Sequence, residues 1–232
     1  MINKKICYIS GSRADFGLVS RLLNLIKNDN SLTLQLLVTG SHLSNKYGDT
    51  YKEILKQGFK INQKIKIINS NDKSKDILIS LSECIKKISQ SIEKLKPDII
   101  LLLGDRYEIF ASAISSFLHK IPICHIHGGE VTAGAFDDAF RHSITKMSWY
   151  HFVAHKSYKK RIIQLGENPK NIFNVGSLGV DNIKKFNFLD KKSIEKKFDF
   201  KFLKKNIMIV IHPETLGNTN SEKITKELLK AL

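Results

Sequence analysis

The feature that most constrains this chain is an alternation of short apolar runs with amphipathic helical stretches, repeated along most of its length. Asp98–Leu103, DIILLL, directly follows Pro97 and is apolar enough to be buried on both faces, as the strands of a parallel sheet are. Strand-like runs recur at Lys5–Ile9, Leu32–Val38, Phe59–Ile65, Ile121–Ile126, Trp149–Val153 and Ile172–Val175. Helical spacing fills the intervals at Phe16–Ile26, Thr50–Leu55, Asp76–Leu95, Glu108–Leu118, Asp138–Met147 and Lys156–Leu165. In Asp76–Leu95, Ile77, Leu81, Ile85, Ile88 and Ile92 fall on one stripe. The alternation predicts an α/β fold, a doubly wound parallel sheet with right-handed crossovers.

A sheet of this kind gathers its functional loops at the carboxyl ends of the strands. Gly11–Phe16, Thr39–Tyr47, Gly104–Tyr107 and His127–Asp138 all follow strands, so all four are expected to reach one crevice. Gly176–Asp190 reads as an exposed transition. Lys205–Ile211 reads as a further strand, followed by the loop HPETLGNTN and a helix from Ser221. One strand and one helix cannot bury a core of their own. The expectation is therefore a first domain over 1–180, a linker over 181–200, and over 201–232 the start of a second α/β domain that stops early.

The segment His125–His142, HIHGGEVTAGAFDDAFRH, carries the densest chemistry. It sets Glu130, Asp137 and Asp138 beside His125, His127, Arg141 and His142. So many acids and bases on one loop point to proton transfer rather than simple binding. The turn Gly11–Gly17, GSRADFG, sits where a phosphate-binding turn would, with Arg13 available to a phosphate and Asp15 to cap the helix. It is neither GxGxxG nor a Walker loop, which disfavours a Rossmann cofactor; a simple capped turn is the competing reading. In GDRY, Asp105 and Arg106 are either an acid–base or positioning pair or a structural ion pair. His42 in TGSHL and His212 in IHPET each end a strand and are weak signals alone. Nothing has metal-ligand spacing, so neither metal nor cofactor is expected.

A net charge of +16 invites a nucleic-acid reading. However, only five of the basic residues are Arg, and the lysines scatter over predicted helix surfaces. With no ribonucleoprotein or zinc-finger signature, no specific nucleic-acid partner is expected. No apolar run reaches the ~20 residues of a transmembrane helix. The opening MINKKICYISG is too short in its apolar part for a signal peptide and reads as a first strand. Cys7, Cys84 and Cys124 fit no CxxC pattern and read as small, reduced core residues of a cytoplasmic protein.

Taken in order, the blocks GSRADFGLV, VTGSHLSNKYGDTY, PDIILLLGDRYE, HIHGGEVTAGAFDDAFRHSITKMS, HFVAHKSYKKRIIQLGE, FNVGSLGVDNI and VIHPETL resemble the hydrolysing UDP-N-acetylglucosamine 2-epimerases. The likeness is to the bacterial branch that serves sialic, legionaminic and related nonulosonic acids, and it covers nearly the whole chain. It implies two Rossmann-like domains of the GT-B type with the active site between them, this chain being the first plus the start of the second. It implies that Asp105, Glu130 and Asp138 are the catalytic carboxylates and that His212 is the second domain's histidine. It places Arg13 and Arg106 near the UDP and the sugar, and His42, Asp137 and His142 near the sugar.

The implied reaction turns UDP-N-acetylglucosamine, or a UDP- or GDP-linked 2,4-diacetamido-trideoxyhexose, into UDP (or GDP) and the free 2-epimer, such as N-acetylmannosamine. The hydrogen at C2 is not acidic, because no ring carbonyl adjoins it. Its removal becomes feasible when the C1–O bond breaks with it, giving a 2-acetamidoglucal that water then hydrates. A homodimer or tetramer, a nucleotide-sugar partner and no membrane association go with the resemblance. A non-hydrolysing epimerase is the nearest rival, but its glutamate loop is expected to read more like HVEAGLRT. A GT-B glycosyltransferase needs fewer carboxylates, and a non-catalytic sugar-nucleotide-binding truncated paralogue is the remaining alternative.

Overall fold

The computed structural model describes residues 3–67, 74–133, 135, 137–211 and 221–232. Among these, seven strands form one sheet: β1 (Lys4–Ser10), β2 (Leu32–Val38), β3 (Gln63–Lys64), β4 (Ile99–Leu103), β5 (Ile123–Ile126), β6 (Tyr150–Val153) and β7 (Ile172–Asn174). Their spatial order is β3-β2-β1-β4-β5-β6-β7, and every neighbouring pair is parallel. The helices are α1 (Arg13–Asn28), α2 (Tyr51–Lys56), α3 (Ser74–Leu95), α4 (Tyr107–Leu118), α5 (Asp137–Met147), α6 (Lys156–Gln164), α7 (Leu178–Lys184), α8 (Lys191–Phe198) and α9 (Ser221–Ala231). The doubly wound parallel α/β sheet expected from the sequence is the architecture found.

Side chains alternate across the strands and so build a core on each face. Cys7 and Ile9 of β1 and Ile100 and Leu102 of β4 meet Cys84, Ile88 and Ile92 of α3, Ile109 of α4 and Ile144 of α5. Tyr8, Leu101 and Leu103 point the other way, to Phe16, Val19 and Leu23 of α1 and Ile54 of α2. Each large aliphatic side chain fully buried here contributes roughly 1.5–3 kcal/mol before entropy is counted. All three cysteines are buried and free. Among the described residues no helix is long and apolar enough to cross a membrane.

The topology fixes where a site must lie. The chain winds outward from β1 to β2 and β3, then crosses to β4 on the other side of β1. The loops leaving β1 and β4 therefore diverge and open a crevice at their carboxyl ends.

Several boundaries depart from the sequence reading. The first helix begins at Arg13 rather than Phe16, because Ser12 caps it: the Asp15 N–H donates to Ser12 Oγ at 3.3 Å. Asp15 is thus inside the helix and is not its cap. The expected strand Phe59–Ile65 shrinks to Gln63–Lys64, which pairs only with Leu37 and Val38. Just upstream the Asn62 N–H donates to the Leu36 carbonyl at 2.8 Å, but the return bond comes from a side chain, Asn62 Oδ1 accepting from the Leu36 N–H at 2.9 Å. The interval 181–200, read as linker, holds the end of α7 and all of α8. Asn182 of α7 donates to the carbonyls of Gly17 and Leu18, at 3.2 and 3.0 Å, which docks α7 on α1. Lys205–Ile211 forms no strand, and Ile207, Met208 and Val210 are exposed. An apolar run without a neighbouring strand has no ladder to join. The helix from Ser221 forms as α9.

Candidate active site

Asp105 and Arg106 leave β4 at the switch point, and the loop after β5 brings Glu130, Asp137 and Asp138 alongside. Arg141, one turn into α5, ties this group together. Its side chain is only 7 % exposed. Nη2 pairs with Asp105 Oδ2 and donates to Thr132 Oγ1 at 2.9 Å, while Nη1 reaches Asp138 Oδ1 at 3.3 Å. Asp138 Oδ1 also accepts from the Thr132 N–H at 2.9 Å, and its Oδ2 lies 3.6 Å from His142 Nε2. A guanidinium has donors enough to serve several oxygens at once, which lets carboxylates crowd without expelling one another.

The electrostatics remain poised. Burial pushes the Asp105 carboxyl above its ordinary value; Arg141 opposes this by charge and hydrogen bond, and Asp137 and Glu130 add repulsion. Asp15, in the first turn of α1, is pushed up to about 6 by burial, against the Ser12 hydrogen bond and with Glu108 adding. Raised to about 6, the Asp15 carboxyl can carry a proton near neutral pH.

His127 Nδ1 lies 3.0 Å from Glu130 Oε1. His127 holds φ at 63°, a left-handed conformation that costs a non-glycine residue roughly 1–2 kcal/mol. Its Nε2, like His142 Nδ1, is buried without a partner among the described residues. His125 is fully buried, with Nε2 3.1 Å from the Gly104 carbonyl and Nδ1 3.2 Å from Thr145 Oγ1. Burial pulls it down to about 3, so it is a neutral strut under the β4 turn.

Two other expected residues sit on neighbouring loops. Arg13 is at the start of α1, exposed and 3.2 Å from Glu53 Oε2, a contact weak enough to yield to a ligand. His42 is buried with both nitrogens engaged, by Ser10 Oγ and Thr50 Oγ1 at 2.8 Å each, and burial pulls it down to about 4. In this state it pins the β1 and β2 loops together. His212 lies outside the described residues.

The structure thus joins Asp105 and Asp138 through Arg141, with Asp137 and Glu130 near Asp105 and His142 on Asp138, and sets Arg106 beside Glu108 and Asp15. Sequence reasoning passed over three members of this assembly. Arg141 showed only as one more charge on the loop, Asp15 as a cap, and Glu108 as an ordinary helical residue. Among the described residues no group of three or more His, Cys, Asp or Glu side chains has a metal-holding arrangement.

Comparison with known proteins completes the picture. The family model described as UDP-N-acetylglucosamine 2-epimerase matches residues 24–232. A Campylobacter jejuni protein named GDP/UDP-N,N'-diacetylbacillosamine 2-epimerase (hydrolyzing) is 47% identical over 232 residues, which is 100% of this chain and 60% of that protein. A Legionella pneumophila protein named UDP-N,N'-diacetylbacillosamine 2-epimerase (hydrolyzing) is 35% identical over 210 residues, or 90% of this chain and 55% of that one. The chain therefore spans little more than half the length of these relatives. The crystal structure of a Neisseria meningitidis UDP-GlcNAc 2-epimerase bound to UDP-GlcNAc shares the fold with a TM-score of 0.70. That match has 20% identity and covers 84% of this chain and 53% of the other.

Proposed function

The chain belongs to the UDP-N-acetylglucosamine 2-epimerase family, and from that premise we propose that it supplies the proton-transfer half of a hydrolysing 2-epimerase acting on a nucleotide-linked 2-acetamido sugar. One observation carries the reading: Arg141 holds Asp105 and Asp138 together at the sheet's switch point, while burial keeps the Asp105 carboxyl raised.

In the first step the Asp105 carboxylate takes the proton from C2 as the C1–O bond breaks. The C–H electron pair becomes the C1–C2 double bond, and the C–O pair leaves with the nucleoside diphosphate. Arg13, Arg106 and the amino end of α1 neutralise that leaving group, with His212 adding to it from outside the described residues. In the second step water adds to C1 of the 2-acetamidoglucal and gives its extra proton to solvent, while the C1–C2 π pair becomes the new C–H bond at C2. Glu130, paired with His127, delivers a proton to the opposite face of C2. Asp138, occupied by Thr132 and Arg141, holds the loop in place, with Asp137 and His142 at the sugar.

The names of the two relatives make a UDP- or GDP-linked 2,4-diacetamido-trideoxyhexose the first substrate to test, and UDP-N-acetylglucosamine the second. The reaction would serve nonulosonic acid biosynthesis in the cytoplasm, in a homodimer or tetramer; three free, buried cysteines support a reducing setting.

The test is proton NMR in D2O on the longest reading frame that contains this chain. The expected result is release of nucleoside diphosphate together with a free 2-epimer deuterated at C2. An epimer still joined to its nucleotide, or nucleotide released without deuterium at C2, overturns the proposal.

A further inference from the structure

Arg106 stands at the mouth of the crevice with its side chain 48 % exposed, while Glu108, two residues on, is fully buried. Arg106 Nε donates to Glu108 Oε1 at 2.7 Å. This contact engages the inner edge of the guanidinium and leaves both Nη groups without a hydrogen-bond partner among the described residues, with the Asp15 charge nearby. The same carboxylate is enclosed by backbone from two other loops. A Cβ on Gly11, just past β1, would stand 2.7 Å from Glu108 Oε1; one on Gly40, just past β2, would stand 2.8 Å from it. These loops are joined to each other, since Gly11 O accepts the Ser41 N–H at 3.0 Å. Three strand ends therefore converge on one buried carboxylate.

Such a group is costly to bury, and Glu108 Oε2 has no hydrogen-bond partner among the described residues. A surface arginine needs no buried counter-ion for its charge. What Nε clamping adds is a fixed plane: the two Nη groups then project together, the geometry that grips phosphate oxygens in pairs.

We propose that Glu108 is a positioning residue, which holds Arg106 by Nε so that its two Nη groups form a fixed fork for the diphosphate of the nucleotide sugar. The diphosphate assignment rests on the function proposed above; the clamp itself does not. Glu108 touches no substrate in this scheme and acts only through Arg106.

The test is a double-mutant cycle on the full chain, with UDP and inorganic pyrophosphate titrated calorimetrically into the wild type, Glu108→Gln, Arg106→Lys and the double variant. Glu108→Gln keeps the shape of the side chain and is expected to weaken binding of both probes about tenfold. Arg106→Lys keeps the charge but loses the fork, and is expected to weaken it comparably. The double variant should bind no worse than Arg106→Lys alone. Unchanged binding in Glu108→Gln, or an equal further loss in the Arg106→Lys background, overturns the proposal. If Glu108→Gln fails to fold, wild-type affinity in Arg106→Lys overturns it as well. Turnover in D2O separates this from the functional reading. An enzyme that turns over substrate without the coupling refutes only the clamp. Coupling to pyrophosphate without turnover refutes only the function, and a wild type that binds neither probe refutes both.

Discussion

Arg141→Gln should move the acid limb of the pH–activity profile upward. In the native protein three influences raise the Asp105 carboxyl, namely burial, Asp137 and Glu130, while the Arg141 charge and hydrogen bond lower it. Glutamine removes the opposition and leaves the rest. A hydrogen bond to a charged group is worth roughly 1.5–3 kcal/mol. Losing it raises the Asp105 carboxyl further, and at about 1.4 kcal/mol per pH unit that energy corresponds to about 1–2 pH units on the activity profile. If Asp105 acts as the base, only its ionised form takes the C2 proton, so the acid limb of kcat/KM rises by the same about 1–2 pH units. Arg141→Lys retains a charge without the fork and should shift it less. The assay is nucleotide release from about pH 5 to about pH 9, with thermal melting at each point to confirm folding. A folded Arg141→Gln variant that loses kcat while its acid limb stays in place would refute the assignment of Asp105 as base. A limb that moves to lower pH would refute the electrostatic argument altogether.

Acid should destabilise the fold through its histidines. His42 and His125 are pulled down to about 4 and about 3, so below about pH 6.5 the unfolded chain binds protons that the folded chain refuses. Their contribution is complete above that pH and disappears as pH falls toward those lowered values. Asp15, raised to about 6, acts oppositely: its share is complete below about pH 4 and lost as pH rises through about 6. Burial also lowers His151 and raises Asp105, so three histidines stand against two carboxyls, and urea midpoints should rise from about pH 4 to about pH 7, less steeply in His42→Gln. Gly40→Ala sets a Cβ 2.6 Å from Gly11 O at a φ of +57°, and should cost about 2–3 kcal/mol by urea unfolding. Gly17→Ala, where a Cβ meets nothing within 4 Å inside α1, should instead stabilise by about 0.5–1 kcal/mol. Arg13→Ala should leave the melting temperature almost unchanged, because its partner Glu53 is an exposed ion pair, yet weaken UDP binding in titration calorimetry.

The sheet was legible because β4 is apolar throughout and each neighbouring run has its own helix, a pattern that needs no long-range information. Its weakest strand was not legible: Phe59, Ile61 and Ile65 suggest strand alternation, but the pairing depends on how far β2 extends and on the Asn62 side chain. α8 is short and mostly polar, with Ile194 and Phe198 its apolar pair at helical spacing, and Asp190 caps it by accepting the Ser193 N–H at 2.7 Å. Lys205–Ile211 shows the converse, a strand pattern with no described strand beside it. The site divides in the same way. The acidic loop announced itself by composition, but Arg141 meets Asp105 across 36 positions of sequence, and Glu108 meets Gly11 and Gly40 across still more. His42 was visible as a strand-end residue, whereas the engagement of both its nitrogens depends on Ser10 and Thr50, which only the fold brings to it.

The closeness of Gly11, Gly40 and Glu108 also constrains how this protein can change. No side chain larger than hydrogen fits at either glycine while a glutamate fills the space between them. A shorter residue at 108 would relax Gly11 but would release Arg106, and Gly40 would still be held by the Gly11 carbonyl, 2.6 Å from a Cβ there, and by its φ of +57°. Three sites spread over nearly a hundred residues are therefore inherited as one. A lineage that alters any of them has to pass through a weakened intermediate, and an engineer seeking a different anion preference should vary the three together.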